Sequence, residues 1–572
     1  MALHNSEIAD RFDRLADLLE IEGANPFRVR AYRNAARTVR GYPRSMADLL
    51  ADDVDLTELP DIGDDLAKKI EGLVSNGELP LLDEVEERTP PALSELMKIQ
   101  GLGAKRVRAL HEAINIETLE DLRAAVESGQ VRAVEGFGEK SEDKIRRRLK
   151  KFSGKDERIK LSEAEQIAAP LVKYLEKANG LKEIVVAGSF RRRKETVGDL
   201  DILITAKTKN NVMEHFTSYE DIEEVASRGE TRSTVYLRCG MQVDLRVVPQ
   251  VSFGSAQHYF TGSKDHNIAV RKLGIKKGYK INEYGVFEGD KRIAGETEKS
   301  VYASVDLPLI PPELRENRGE LEAARENQLP DLVRLEDLRG NLHTHTDATD
   351  GRNSLKSMAA AAAEFGLEYL AITDHSKHLK VAHGLDEKRL KQQLQAIDKL
   401  NDELSGIRLL KSIEVDILQD GKLDLADSVL EQLDLVLCAV HHKFDLSKQK
   451  QTERILRAMD SPHCHILAHP SGRLINRREA YDIDLEKILE AAAARSCAVE
   501  LNAQPDRLDL TDEGCRMARE LGVKVSIAAD AHSARGFDTL RFGVDQARRG
   551  WLEADDVLNT RPLKALLEIL KR

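Results

Sequence analysis

Long apolar runs are missing from this sequence, and none approaches the roughly 18 residues that a membrane-spanning helix needs. That excludes a membrane partner. The first residues do not read as a secretory leader, because Glu7, Asp10, Arg11, Asp13 and Arg14 alternate with apolar residues at helical spacing. A cytoplasmic protein is expected. Cysteine is sparse: Cys239, Cys438, Cys464, Cys497 and Cys515 are odd in number and lack paired spacing, which excludes a disulfide framework and leaves reduced thiols. Low-complexity sequence is confined to the alanine run at 359–363. A surplus of positive charge is absent too, since the net charge is -12, which by itself would argue against nucleic acid. Phosphate binding depends on where cations gather, however. Lys144, Arg146, Arg147, Arg148, Lys150, Lys151, Lys155, Arg158 and Lys160 form one dense block, and Lys264, Arg271, Lys272, Lys276, Lys277 and Lys280 form a second.

At 572 residues the chain exceeds what one hydrophobic core supports, so several domains are expected. Residues 1–155 read as short helices broken by glycine and proline, divided near residue 80 into segments 1–80 and 81–155. One pattern recurs in them: a tight turn between helices at Gly63, at Gly101 and Gly103, and at Gly136 and Gly138, each followed by Lys or Arg. A glycine turn opening a helix offers unpaired backbone N–H groups to a phosphate at the positive end of the helix dipole. Three such turns suit sequence-independent binding of a DNA backbone.

Strands appear from about residue 156. In Gly198-Asp199-Leu200-Asp201-Ile202-Leu203-Ile204, period-two alternation puts both carboxylates on one face and Leu200 and Ile202 on the other. A later run, Met241 to Val248, carries Asp244 between Gln242 and Arg246 on one face, so a neighbouring pair of strands would complete a carboxylate triad. Three acids in one small volume repel unless a divalent cation lies among them, and two Mg2+ ions suit in-line nucleotidyl transfer. Upstream, Gly188-Ser189-Phe190-Arg191-Arg192 follows a strand and supplies a turn, a hydroxyl and guanidinium groups for a triphosphate.

This segment resembles the palm of family X DNA polymerases, with Gly188-Ser189, Asp199-Leu200-Asp201, Asp244, Tyr259-Phe260-Thr261-Gly262-Ser263 and Asn282-Glu283-Tyr284 as the matching motifs. The resemblance implies that Asp199, Asp201 and Asp244 are catalytic metal ligands. It also implies that Gly188, Ser189, Arg192, Tyr259, Phe260, Gly262, Lys264 and Asn267 bind the nucleotide, and that Arg271 meets the template. The amino-terminal helices resemble that family's lyase and fingers domains, with Lys69 where family lyases carry a Schiff-base lysine and Tyr32 beside it. The expected divisions are palm 156–250, nucleotide-binding subdomain 251–316 and linker 317–336.

In the last third, apolar runs end at His343 and His345, His375, Glu414, His441, His469, and Asp530 and His532, with Asp350 close after the first pair. Strands alternating with helices bring such residues to one barrel mouth. Imidazole with carboxylate suits Mn2+ or Zn2+, and nine donors imply two or three ions and phosphoester hydrolysis. Residues 337–572 resemble the PHP domain (polymerase and histidinol phosphatase), which implies a distorted seven-stranded (β/α) barrel and fills all nine ligand positions of that family. Asp374, His442 and Asn502 would support those ligands, while His463 and His465 read as structural.

The whole therefore reads as a multidomain chain: an all-α helix-hairpin-helix region, an α+β nucleotidyltransferase palm and thumb, and a PHP barrel. The expected protein is a monomer that fills short gaps in DNA from deoxynucleoside triphosphates and trims 3' ends, with cleavage at abasic or blocked ends as a further activity. Two other readings stand beside it: a PHP nuclease whose polymerase half only clamps gapped or nicked DNA, and a scaffold bridging broken ends.

Overall fold

The computed structural model describes residues 3, 5–42, 44–97, 99, 102–151 and 158–571. The chain divides into two compact units, 1–158 and 159–572.

The first unit is helical throughout its described residues. Asn5–Glu22 forms a helix because Ile8, Phe12, Leu15 and Leu19 recur at three and four spacing and bury one face. Pro26–Gly41 follows, with Pro26 at its first position and the Asn25 side chain capping Phe27 N. Asp64–Ser75, Ala104–Ile114 and Glu139–Lys151 are the helices that succeed the three glycine turns. Two apolar clusters hold the unit, one centred on Phe12 and Tyr32, the other on Leu96, Val107 and Leu122.

The second unit begins with a five-stranded sheet in the order Leu181–Val186, Asp199–Ala206, Gln242–Val247, Arg232–Leu237, Ile222–Arg228. Its two central strands are parallel and place Asp201 opposite Asp244. Helices Phe253–Thr261 and Lys264–Lys276 and a three-stranded antiparallel sheet come next. The stretch expected as a linker is packed instead. Leu321, Ala324 and Leu332 join an apolar cluster and buried Glu320 lies 2.5 Å from His266 Nδ1, while just ahead of the stretch fully buried Arg315 bonds Glu298 at 2.6 Å and the Ile310 carbonyl at 2.9 Å. The pairing of Glu320 with His266 lets this charged segment pack, which its composition concealed.

In the C-terminal region parallel strands alternate with helices, as one hydrogen-bonded arc of three strands and another of five. Arg408–Lys411 and Glu414–Asp416 belong to the different arcs although only Ser412 and Ile413 separate them. Taken as one interrupted strand they give the seven expected. The ladder does not close continuously among the described residues; single parallel bridges, Thr344 with Ala531 and His375 with Glu414, cross the seams. Both bridges involve the candidate ligands or their neighbours, so the breaks in the ladder lie where polar side chains replace strand packing.

This barrel packs directly on the palm. Phe542, Leu508 and Ile475 enter the apolar cluster of the palm sheet. Around them Arg193 Nε donates to Asp545 at 2.8 Å, Arg473 makes a two-pronged pair with Glu195 at 2.6 and 3.1 Å, and Arg549 donates to the Arg192 carbonyl at 2.8 Å.

Candidate functional sites

The palm site follows from strand register. Asp199 and Asp201 point to one face of Asp199–Ala206, and parallel pairing sets Asp244 beside Asp201. Gly188 has φ +62°, and a Cβ there would lie 2.9 Å from Asp201 Oδ2, so the glycine is needed both for its backbone and for room beside the acid. The acids differ in their surroundings. Burial, then the charges of Asp199 and Asp244, push Asp201 up to about 7. For Asp244 burial acts in the same direction, but it is outweighed by hydrogen bonds from Thr234 Oγ1 at 2.6 Å, Gln242 Nε2 at 2.8 Å and Arg232 Nη2 at 3.2 Å, which hold it below the usual range. A carboxylate whose charge is disfavoured beside two others is the donor chemistry that a divalent cation satisfies.

The nucleotide-binding candidates gather around a second turn. Arg192 Nη1 donates to the Thr261 carbonyl at 2.6 Å and its Nε to Glu316 at 3.0 Å, bringing the turn after Gly188 against Gly262. Gly262 has φ +69° and a Cβ there would stand 3.2 Å from Arg192 Nη1. Tyr259 and Phe260 end the helix before it, their rings edge to face at 5.1 Å, and the Arg246 guanidinium lies 4.4 Å from the Phe260 ring. Lys264 is exposed at the first position of the next helix. Asn267 is buried, and its Nδ2 donates to the Tyr259 carbonyl at 2.7 Å, which ties it to the turn. Arg271, one helical turn on, donates to the Asn267 carbonyl at 3.3 Å.

In the barrel, strand ends bring three donor groups together: His345, Asp350, His375 and His532; His343, His345 and Asp530; His375, Glu414 and His441. Within each the donor atoms lie within 4.8 Å of one another. His469 is in none of the three, yet its Nε2 is 2.9 Å from Glu414 Oε1. The arrangement fits cations. His343 Nε2 and His345 Nε2 face each other at 3.1 Å, while His345 Nδ1, His469 Nδ1 and Glu414 Oε2 are buried without a hydrogen-bond partner. His469 and Asp530 hold φ of +26° and +47°, backbone conformations that cost energy and that tertiary packing must enforce.

Protonated histidines balance the acids. Burial alone would lower His375, but Glu414 and Asp350 raise it to about 9; burial likewise opposes and Glu414 and Asp416 overcome it at His441, raised to about 10; Asp350 and Asp530 raise His532 to about 9 against burial. Glu414 and Asp530, whose burial would raise them, are driven well below the carboxylate range by these imidazoles. Cations entering the cluster would displace those protons.

Several supporting residues lie outside the expected set. Glu500 accepts from His343 Nδ1 at 2.6 Å and from His469 N at 2.6 Å. Asp416 pairs with His441 Nδ1 at 3.2 Å; it stands two residues from Glu414 on one strand, a period-two signal that could have revealed it. Of the supports expected, Asn502 donates to Asp530 at 3.0 Å. His442 takes a hydrogen bond from Arg454 at 3.2 Å and lies 3.7 Å from Asp416. Asp374 acts at one remove: it accepts from Thr346 N and Oγ1, Thr349 Oγ1 and Gln393, fixing the loop that carries Asp350. His465 is structural, its Nδ1 accepting from Val436 N at 3.0 Å.

Of the hairpin turns, Gly63 and Gly103 cap their helices without any side-chain hydrogen bond, and Gly136 has φ +82°. A Cβ at Gly63, Gly103, Gly136 or Gly138 would meet nothing within 4 Å, leaving the backbone approachable. Gly101 lies outside the described residues, as do Lys155 and the side chains of Arg147, Arg148, Lys150 and Lys151 in the basic block. Lys69 lines an open pocket with Arg28, Tyr32, Gly63 and Asp64. Its Nζ is 5.9 Å from the Tyr32 ring and pairs with Asp65, which favours service as a cation.

Comparison with known proteins adds five family matches: a helix-hairpin-helix domain at 3–79, a SAM-like helix-hairpin-helix tandem at 93–151, DNA polymerase beta palm at 158–236, DNA polymerase beta thumb at 256–316 and a PHP domain at 341–504. The chain is 38% identical over 574 residues to the DNA polymerase/3'-5' exonuclease PolX of Bacillus subtilis, covering 100% of both chains. It is also 29% identical over 241 residues to a probable phosphatase of Syntrophotalea carbinolica, covering 40% of this chain and 95% of that one. A probable phosphatase of Thermoanaerobacter is 29% identical over 231 residues, covering 38% and 89%.

Proposed function

Since the chain belongs to the PolX family, in which helix-hairpin-helix modules and a beta-type palm and thumb are joined to a PHP domain, we propose that it is a DNA repair polymerase that also shortens 3' ends. One observation carries the reading: a register-defined triad, Asp199, Asp201 and Asp244, coexists in one compact unit with a separate cluster of eight donors and, against Glu414, His469.

In the palm the three aspartates would hold Mg2+, which when bound supplies charge neutralisation for in-line transfer to the primer 3' end. Thr234, Gln242 and Arg232 orient Asp244 toward that end. Gly188, Ser189 and Arg192 receive the triphosphate, so Arg192 exchanges Glu316 for phosphate as the nucleotide arrives. Tyr259, Phe260, Gly262 and Lys264 line the sugar side, Asn267 holds their turn, and Arg271 faces the template. In the barrel, His343, His345, Asp350, His375, Glu414, His441, His469, Asp530 and His532 would hold two or three Mn2+ or Zn2+ ions, which supply a nucleophilic oxygen at neutral pH. Abasic and blocked 3' ends are further substrates of this cluster. Glu500 and Asp416 fix the imidazole orientations.

The glycine turns bind the DNA backbone on both sides of a short gap, with Lys69 as a phosphate contact and candidate lyase nucleophile. No helix among the described residues is long and apolar enough to cross a membrane. The protein acts as a monomer in the cytoplasm, where the chromosome is. A gap-filling assay beside a 3'-degradation assay, first in Mg2+ and then in Mn2+, tests the proposal. Nucleotide addition should need only Mg2+ and trimming should need Mn2+; loss of either activity in both metals would refute it.

A further inference from the structure

The segment from Ser376 to Leu385 leaves the barrel directly after His375 and returns to it. Its neck is tied to the donor cluster: Ser376 N donates to the Glu414 carbonyl at 3.0 Å, and Leu385 N donates to the His375 carbonyl at 2.7 Å. A Cβ at Gly384 would fall 1.9 Å from the Ser376 carbonyl oxygen, so only glycine lets the two strands of the neck meet. Arg389 braces the return by donating to the His383 and Gly384 carbonyls, and Asp424 accepts from His378 N at 2.7 Å. The loop is thus braced at several points, with Ala382 buried at the tip and the residues on either side of it exposed. Val381 is 79% exposed, with Lys380 and His383 exposed on either side.

Its chemistry is one-sided. Ten residues carry two lysines and two histidines and no acid, in a chain whose net charge is -12; Lys377 is paired with Glu387, which leaves Lys380 at the tip for a phosphate. The His378 ring lies 4.5 Å from that of His442, the residue after the candidate ligand His441. A metal-centred phosphoesterase needs none of this to hold the phosphate it cleaves. An unpaired DNA end uses all of it: Lys380 for the next phosphate, the exposed His378 ring as a face for a base, and an aliphatic tip that gains by covering a base face.

We infer that residues 376–385 form a strand-guiding loop that grips the unpaired 3'-terminal nucleotides of DNA as they enter the barrel. This rests on the exonuclease reading above. The contacts lie beside the cleaved bond, so they act on binding and not on the chemical step.

The test uses the full-length protein with Mn2+ and two substrates: a 5'-labelled single-stranded oligonucleotide and the p-nitrophenyl ester of thymidine 5'-monophosphate, which lacks neighbouring nucleotides. The double change Lys380→Glu with Val381→Ser, and separately His378→Ala, should each raise KM for the oligonucleotide, the double change by about tenfold or more, with kcat within about twofold. Turnover of the ester and gap filling should stay unchanged. An unaltered oligonucleotide KM would overturn the inference. So would an equal loss on both substrates, which would make the loop a support of the donor cluster. If the unmutated protein cleaves the ester but does not shorten DNA, the exonuclease reading fails first, and visibly before any variant is made.

Discussion

The palm and the barrel solve the same electrostatic problem in opposite ways. In the palm, three acids are gathered with few cations of their own, and Asp201 takes a proton up to about pH 7 because burial and two neighbouring carboxylates disfavour its charge. In the barrel, imidazoles and carboxylates neutralise one another, so Glu414 and Asp530 stay ionised while His375, His441 and His532 stay protonated past neutrality. The palm site is completed by what it binds; the barrel site is assembled beforehand and must release protons to bind. Four measurements can break or sharpen this contrast.

The largest effect should come from removing ligands. Asp199→Ala with Asp201→Ala should cut nucleotide addition on gapped duplex by about a thousandfold or more while leaving Mn2+-dependent trimming within about twofold, and His343→Ala should do the reverse. Loss of both activities from either change in a folded protein, judged by circular dichroism, would show that the two centres are not independent.

Next in size is Glu500→Gln. It weakens the bond that orients His343 and should reduce Mn2+ affinity at the barrel by roughly 10- to 100-fold in calorimetric titration, with Mg2+-dependent gap filling untouched.

The third measurement is pH dependence. Asp201 is raised from 3.8 to about 7 in the folded protein, so the metal-free fold binds a proton that the unfolded chain has lost, and its stability falls as pH rises across that window. Mg2+ must displace the same proton. Below pH 7 the Mg2+ concentration for half-maximal gap filling should therefore climb by up to about tenfold per unit, and a flat profile between pH 6 and 8 would sink the assignment. The smallest effect is expected for Thr234→Val. It removes one hydrogen bond from Asp244, worth about 1 kcal/mol, and should slow nucleotide addition about fivefold with trimming unchanged.

What the sequence disclosed follows the same division. Asp199 and Asp201 could be singled out because alternation on a strand is a local property, and the barrel donors other than Asp350 because they end apolar runs. Asp244 needed one further assumption, that two strands are neighbours, and the register supplies it. Thr234 and Glu500 were not legible as partners, since each acts across a strand pairing or between strands far apart in the chain. Asp374 and Asn267 lay in the right places but serve loops and turns, which spacing alone could not tell. The segment 317–336 was expected as a linker, whereas Glu320 is buried against His266 and Leu321, Ala324 and Leu332 join an apolar cluster.

The ion pairs of Arg193 with Asp545 and Glu195 with Arg473 lie just after the turn at Gly188, and they fasten it to the C-terminal region. With the aspartate triad and the histidine cluster built into one compact unit, whatever passes from one to the other has to make the journey itself.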